Sequence, residues 1–265
     1  MNYILKEWKE QARGKGIWLS LLIIMLLSVF LLLEARTLPV EQGFTVLLLS
    51  MFEMNMFVLP LLSIFIASFS IMQEKELKTM MILLTKHESY ISFLAKKSIA
   101  IQLVVIAVIV AWYFLFALVM KVFLYFNVSH FLLFILAVSV MVFIFNQIGV
   151  ALGSICSTRM QLLGANILTW FSFVFLIDLM FLQQLSNVTY DNVQLFAFFY
   201  FLDPLHTIPF YLETSLEVFS LEHMSRLMSK MMWASPTVFM IMNLVIWSCL
   251  SFVVAIVLQR RESKS

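Results

Sequence analysis

Residues 99–120 read IAIQLVVIAVIVAWYFLFALVM, a run that contains no charged side chain. At about 1.5 Å per residue, a helix of this length spans about 33 Å, which matches the roughly 30 Å hydrocarbon core of a bilayer. A continuous apolar run of this length is too long for one β-strand and is typical of a transmembrane helix. The stretch therefore predicts a helix that crosses a membrane.

Five other stretches have the same character, and the composition of the whole chain agrees with them. Hydrophobic residues make up 63% of the 265 positions and charged residues only 12%, whereas soluble domains hold about 45–50% and about 25%. The sequence therefore predicts an all-α membrane protein in which residues 1–265 form one transmembrane domain. The six expected spans are residues 17–33, 54–72, 99–120, 131–155, 161–183 and 236–258.

The basic residues are distributed unevenly around these spans. An even number of spans places both termini on one side of the membrane. If that side is the cytoplasm, thirteen of the 17 lysines and arginines lie in inner segments, and the four outer ones are Arg36, Lys121, Arg226 and Lys230. Because cytoplasmic loops are enriched in Lys and Arg, we expect cytoplasmic termini and a multi-pass protein of the plasma membrane. The membrane surface also accounts for the net charge of +2, so binding to nucleic acid is not indicated.

The segment before the first span has the pattern of an amphipathic helix. Its charged side chains cover one part of the helix surface, and its apolar side chains, Tyr3, Ile4, Leu5, Trp8 and Ala12, cover the other. We expect an elbow helix that lies in the membrane interface. The alternative is a solvated tail that anchors the first span by its charge.

The outer loop between the fifth and sixth spans, residues 185–235, contains LFAFFYFL at residues 195–202. This stretch is as hydrophobic as a span but ends at Asp203-Pro204, which makes it too short for a complete crossing. A crossing here would also move the basic carboxyl terminus to the outer side, against the charge rule. We therefore expect residues 195–212 to be re-entrant or surface-lying and to pack against the outer mouth of the bundle.

The stretch EKELKTMMILLTKHESYISFLAKK, residues 74–97, resembles the E-x-x-G-T-L-x-x-L-L-x-x-P-x-x-R segment that follows the second span of type 2 ABC transporter permeases. Further runs occur in the order seen in NosY-like permeases, which belong to systems that mature nitrous oxide reductase. These runs are GFTVLLLS (43–50), FVLPLLSIFIASF (57–69), FLIDL (175–179) and LDPLHTI (202–208). The sequence departs from the pattern at His87, where proline is usual, and at Tyr90, where arginine is usual.

The resemblance implies a homodimer or pseudo-dimer of six-span subunits, with a cytoplasmic ATPase under each subunit and a coupling helix at residues 74–97. The apolar strip of this segment independently requires a protein partner, although an interfacial helix lying on lipid is the alternative. No G-x-x-x-x-G-K-[ST] phosphate loop occurs in the chain, so ATP and magnesium are expected in a partner chain. The expected ATPase-coupling residues are Glu74, Glu76, Thr79, Met80, Leu83, Leu84 and Thr85.

Two carboxylates, Glu53 and Asp178, lie in or beside the predicted spans. At about 1.5 Å per residue, both fall near the outer boundary of the membrane. Together with Asp203 they are predicted to line the translocation path or its outer mouth, as a polar ring that eases the exit of a polar cargo. The alternative is that the two carboxylates reach the headgroup layer or pair with Arg36 or Lys121.

Four methionines recur at helical spacing in the outer loop, and thioethers are soft ligands suited to copper(I). These residues are Met224, Met228, Met231 and Met232. The apolar side of an interfacial helix is the more frequent reason for such spacing.

The histidines all fall in predicted loops, which leaves no ligand pair for a membrane haem. They are His87, His130, His206 and His223. We therefore expect no catalytic residue, cofactor or metal in this chain.

Gly149 and Gly153 are four residues apart near the inner end of the fourth predicted span. Small residues at this spacing allow two membrane helices to approach closely. We therefore expect another helix to pack against this face.

Together these patterns favour the permease subunit of an ABC transporter, which couples ATP hydrolysis in a partner chain to export of a substrate. The NosY-like resemblance implies a sulfur or copper-related species for metalloenzyme maturation, with an accessory protein outside the cytoplasm. The sequence leaves open the export of a peptide, an antibiotic or a lipid-like compound, and it leaves open a membrane anchor or sensor that moves no cargo. An intramembrane enzyme is not indicated, because no span carries a nucleophile beside a base.

Overall fold

A computed structural model describes residues 3–37, 40–77, 89–219 and 225–262. These residues are almost entirely helical and contain no β-strand, as the apolar runs predict. The helices are α1 (Tyr3–Arg13), α2 (Lys15–Ala35), α3 (Val40–Glu76), α4 (Tyr90–Phe123), α5 (Val128–Ile155), α6 (Arg159–Phe171), α7 (Ile177–Gln184), α8 (Val193–Tyr200), α9 (Pro204–Ser215), α10 (Arg226–Met231) and α11 (Pro236–Glu262). A π-helical turn, Ser172–Leu176, joins α6 to α7.

Six helical stretches of the described residues are long and apolar enough to cross a membrane, which agrees with the six predicted spans; the bent pair Val193–Tyr200 and Pro204–Ser215 would make a seventh if it were one span. The six stretches are Gly16–Ala35, Gly43–Glu76, Tyr90–Phe123, Val128–Ile155, Arg159–Asn187 and Ser229–Val257. We call the end of the bundle that carries α1 and the α3–α4 connection the inner end, because the basic residues predict that it faces the cytoplasm. The opposite end is called the outer end.

Two of the helices extend further than the sequence indicates. α3 has 37 residues and begins at Val40, not at residue 54, and α4 begins at Tyr90, not at residue 99. The first turns of α4 and the last turn of α3 continue as helix because neighbouring helices supply partners for Lys97 and Glu74, and a search for apolar runs does not detect such partners. The early start of α3 has a different basis, because residues 43–52 are themselves mostly apolar and helical. The expected inner loop, residues 73–98, therefore shortens to residues 77–89.

The centre of the bundle is the crossing of α3 and α5, where two glycines of α5 lie against the backbone of α3. A Cβ atom added to Gly149 would lie 2.6 Å from the carbonyl oxygen of Ile64. A Cβ atom added to Gly153 would lie 2.5 Å from the carbonyl oxygen of Ser68. Side chains do not fit at such distances, so the close approach predicted from the glycine spacing is confirmed.

Polar side chains join the helices within this apolar core. Asn55 of α3 donates a hydrogen bond of 2.5 Å to the hydroxyl of Tyr113 on α4. Asn146 of α5 donates a hydrogen bond of 3.1 Å to Gln102 on α4. A buried polar group that loses its partner costs about 1–3 kcal/mol, so these pairs favour a single register for the packing of α3, α4 and α5.

The apolar stretch of the outer loop forms α8 and α9, two helices bent by 97° relative to each other. α9 packs against α5 and α11, which agrees with the expected packing of residues 195–212 against the bundle. Two side chains of α11 satisfy the carbonyls at the break: Asn243 donates to Phe201 at 2.5 Å, and Trp247 donates to Leu202 at 2.9 Å. Irregular backbone at membrane depth needs such protein partners, so the contacts are compatible with a re-entrant segment, which stays a prediction.

Candidate functional site

The charged face of α1 packs against the bundle, and much of its apolar face is exposed. Glu7 is fully buried, whereas Leu5 and Trp8 expose 57% and 49% of their surface. A solvated tail, the alternative considered from the sequence, does not describe this helix, because α1 packs along α4. Apolar side chains that point away from the bundle are compatible with the predicted position of α1 in the membrane interface.

Five charged residues meet where α1 contacts the inner ends of α3 and α4. We call them the inner ion-pair cluster: Lys6, Glu7 and Glu10 of α1, Glu74 of α3 and Lys97 of α4. The Lys97 ammonium lies 2.5 Å from the Glu7 carboxylate and 3.0 Å from the Glu74 carboxylate. The Lys6 ammonium lies 2.5 Å from Glu74. Buried ions cost several kcal/mol unless they are paired, so separating these three helices is unfavourable.

The two residues that follow Glu74 contact further helices. Lys75 donates hydrogen bonds of 2.5 Å to the carbonyl of Ser154 and 3.1 Å to that of Cys156, where α5 ends and its carbonyls lack helical partners. Glu76 accepts two hydrogen bonds from Arg159, the first residue of α6, and the Nε–Oε1 distance is 2.6 Å. The last turn of α3 therefore connects α1, α4, α5 and α6.

These contacts show that two of the expected coupling residues, Glu74 and Glu76, already pair with other helices of the chain. Glu74 is buried, so its carboxylate holds helices together and does not lie on a surface that an ATPase could touch. The other glutamate of the expected set, Glu76, is already paired with Arg159. Residues 78–88 lie outside the described part of the chain, and they include the remaining members of the set: Thr79, Met80, Leu83, Leu84 and Thr85.

Lys97 is the last residue of the predicted coupling segment 74–97, but the sequence does not single it out as a functional residue. Its local pattern does not show that its partners come from α1 and from the end of α3. One signal was present in the sequence. The charged side chains of α1 recur at helical spacing, and a charged helix face beside a membrane requires either water or a charged partner.

At the outer end, His206 joins two of the carboxylates that were predicted to line the outer mouth. Its Nε2 lies 3.0 Å from Asp178 and its Nδ1 lies 2.7 Å from Asp203. Asp203 is the N-cap of α9 and also accepts a hydrogen bond of 3.0 Å from the backbone N–H of Leu205, a role for which aspartate is well suited. Only a protonated imidazole can donate at both nitrogens, so the geometry suits an imidazolium between two carboxylates.

The position of His206 differs from the sequence expectation. It lies in the first turn of α9 and not in a loop, and His130 likewise lies in the first turn of α5. The D-P-x-H spacing was the available signal, because an N-cap aspartate is close to the side chain three positions later. The sequence alternative for Asp178, pairing with Arg36 or Lys121, is wrong; the Arg36 guanidinium instead lies 4.3 Å over the ring of Phe123.

Glu53 lies beside this group. It lines a cavity of about 420 Å³ between α3 and the α8–α9 pair, and His206 lines the same cavity. The structure therefore brings Glu53, Asp178 and Asp203 into one region of the outer end. The ligand atoms of Asp178, Asp203 and His206 also lie within 4.8 Å of one another, a spacing and donor set that could hold a metal ion.

The methionine stripe is only partly described. Met224 and the side chain of Met228 lie outside the described residues. Met231 packs beside Phe201 and Phe239 in a small apolar cluster of the protein, whereas the sequence favours the apolar side of an interfacial helix. Copper(I) binding by this stripe stays a prediction.

Comparison with known proteins gives a result at the level of the family. The family described as ABC-2 family transporter protein matches residues 1–263, and no curated protein matches the chain. This match agrees with the six apolar helices and with the resemblance to type 2 ABC permeases carried by residues 74–97. The chain therefore belongs to the ABC-2 transporter family and is a multi-pass membrane component of an ABC transporter.

Proposed function

We propose that the chain is the permease subunit of an ABC exporter and that a separate cytoplasmic ATPase supplies ATP hydrolysis, with magnesium, from below the inner end. The observation that carries this proposal is the last turn of α3. Its three residues Glu74, Lys75 and Glu76 bind four other helices. They lead directly into residues 78–88, the middle of the segment that resembles the coupling helix of the family.

A displacement of residues 78–88 would be transmitted to much of the helix bundle. The inner ion-pair cluster joins α1, α3 and α4, and the glycine contacts join α3 and α5. Tightly packed helices move between discrete arrangements and do not deform continuously. We therefore expect these four helices to move as one body when the ATPase binds and hydrolyses ATP.

We propose a second copy of the chain as the partner in the membrane. The α3–α5 crossing fills the centre of the described bundle, which favours a transport path between subunits and not through one subunit. Large apolar side chains on α2 and on the α6–α7 segment are exposed, among them Phe30, Leu168 and Met180. A second copy or lipid would cover these faces, and the family resemblance favours the second copy.

The identity of the cargo is inferred from the family resemblance. The NosY-like resemblance favours a sulfur or copper-related species for metalloenzyme maturation, handed to an accessory protein outside the cytoplasm. Export of a peptide, an antibiotic or a lipid-like compound requires only the features of the permease itself. A membrane anchor or sensor would contain the same inner contacts, but the ATPase activity of its complex would not respond to any cargo.

The combined substitution Leu83→Ser and Leu84→Ser should abolish binding of the ATPase, because it removes the apolar strip on which the ATPase is proposed to dock. The test is affinity purification of the tagged full-length chain from its native membrane, with mass spectrometry and ATP hydrolysis of the co-purified subunits. The control is Tyr125→Ser, which changes a side chain that is 71% exposed between α4 and α5. We expect the control to retain the ATPase. If no ATPase co-purifies with the wild-type chain, or if the double variant retains it, the proposed function is wrong.

A further inference from the structure

The cavity at the outer end has the size of a binding site for a small molecule. Its volume of about 420 Å³ falls within the range of about 300–1,000 Å³ that such sites occupy. It lies between α3 and the α8–α9 pair, close to the break between α8 and α9. The lining side chains that bear on its chemistry are Glu53, Phe57, Tyr200, His206, Phe210 and Glu213.

The charge of this cavity is negative and is not balanced by its own walls. Glu53 of α3 and Glu213 of α9 line it from different helices. Neither carboxylate forms an ion pair with another residue of the described part of the chain. His206, the one residue that could carry a positive charge among the described residues that line the cavity, is held by Asp178 and Asp203. A cation placed between the two glutamates would therefore meet uncompensated negative charge.

The remaining walls are aromatic and apolar. Phe57, Tyr200 and Phe210 line the cavity together with leucine, methionine and proline side chains. Aromatic faces attract organic cations, and this attraction increases when the site excludes water. An inorganic cation gains little from apolar walls, and an anion would be repelled by the glutamates. Carboxylates combined with aromatic walls suit a ligand that has a positive charge and an apolar body.

We propose that this cavity binds the cargo at the exit of the transport path and that the cargo is an organic cation with an apolar body, such as an amine or a quaternary ammonium compound. This inference rests on the proposed function, because a cargo presupposes transport. It places the cargo among the peptide, antibiotic or lipid-like compounds and not among sulfur species. Glu53 and Glu213 bind the positive charge, and the aromatic side chains hold the apolar body.

The test is direct binding of ethidium, a fluorescent aromatic cation, to the full-length permease in nanodiscs of uncharged phosphatidylcholine. Fluorescence anisotropy should show saturable binding to the wild-type chain. The double variant Glu53→Gln and Glu213→Gln should bind at least about tenfold more weakly, a change of about 1.4 kcal/mol. Asp191→Asn, which removes an exposed carboxylate just before α8, should leave the affinity unchanged. Phenanthridine, the uncharged ring system of the dye, should not distinguish the double variant from the wild type.

Each outcome decides the inference. It is overturned if the wild-type chain does not bind ethidium saturably, or if the double variant binds as tightly as the wild type. It is also overturned if Zn²⁺ binds in place of ethidium and Asp178→Asn abolishes that binding, because the outer end would then be a metal site. Ethidium binding without any ATPase complex would reject the proposed function and with it the role of the ligand as cargo, and would leave only a binding site for organic cations. An ATPase complex without ethidium binding would reject only this cargo class.

Discussion

Lys97→Met is expected to lower the free energy of unfolding by about 3–5 kcal/mol, the usual cost of removing one partner from a buried ion pair. Methionine has a similar length but no charge, so the carboxylates of Glu7 and Glu74 would remain buried without their shared counter-ion. These two side chains expose 0% and 3% of their surface, and the Lys97 side chain exposes 2%. The measurement is titration of the purified chain in mixed micelles with SDS, followed by circular dichroism.

The matched control for this prediction is Lys121→Met. It makes the same chemical change in the last turn of the same helix, at an exposed position, so the expected change is within about 0.5 kcal/mol. Equal unfolding midpoints for Lys97→Met and the wild-type chain would contradict the burial of the inner ion-pair cluster.

A variant that removes the buried charges of the inner ion-pair cluster together distinguishes an effect on stability from an effect on coupling to the ATPase. Combining Lys97→Met with Glu7→Gln and Glu74→Gln leaves no unpaired charge among these buried residues, and we expect most of the lost stability to return. If the ion pairs also transmit force, cargo should no longer stimulate ATP hydrolysis by the complex that contains this triple variant. Normal stimulation would show that the cluster only stabilises the fold.

Gly153→Ala is expected to destabilise the chain by about 1–3 kcal/mol, the typical cost of overpacking a well-packed core. The new methyl group would lie 2.5 Å from the carbonyl oxygen of Ser68 and 2.9 Å from the Cβ atom of Ile71. The nearest of these atoms belongs to the backbone of α3, which cannot move aside as a flexible side chain could. α3 and α5 would therefore have to separate, and the same SDS titration would record the loss of stability.

Gly164→Ala is the control for this substitution. Gly164 lies on α6, and an added Cβ atom there would meet no atom within 4 Å apart from its chain neighbours and the backbone of its own helix. Alanine is a better helix former than glycine by up to about 1 kcal/mol, so the control should be neutral or slightly stabilising. A Gly153→Ala variant as stable as the Gly164→Ala variant would show that α3 and α5 do not pack as closely as described.

Local sequence patterns predicted some of the functional regions, but they did not predict which residues pair with one another. The spacing of Gly149 and Gly153 was enough to predict a close helix contact, because small residues four positions apart lie on one side of any helix. Asp178 and Asp203 are predicted to lie at the outer mouth, and the structure places both beside His206; their role in the translocation path stays a prediction. Their common partner His206 was missed, because its contact with Asp178 depends on how two separate helices, α7 and α9, are positioned.

The sequence by itself determined that the chain is a multi-pass membrane protein, how many long apolar helices it forms and to which family it is similar. In a bilayer, an apolar run of about 20 residues is favourable only as a membrane-spanning helix, so each span can be predicted independently of the others. Only the tertiary structure decided that Lys97 is buried between carboxylates from α1 and α3 and that Glu53 and Glu213 line one cavity. The physical reason is that electrostatic contacts depend on distances of a few ångströms between segments far apart in the chain, and those distances are fixed only when the helices pack.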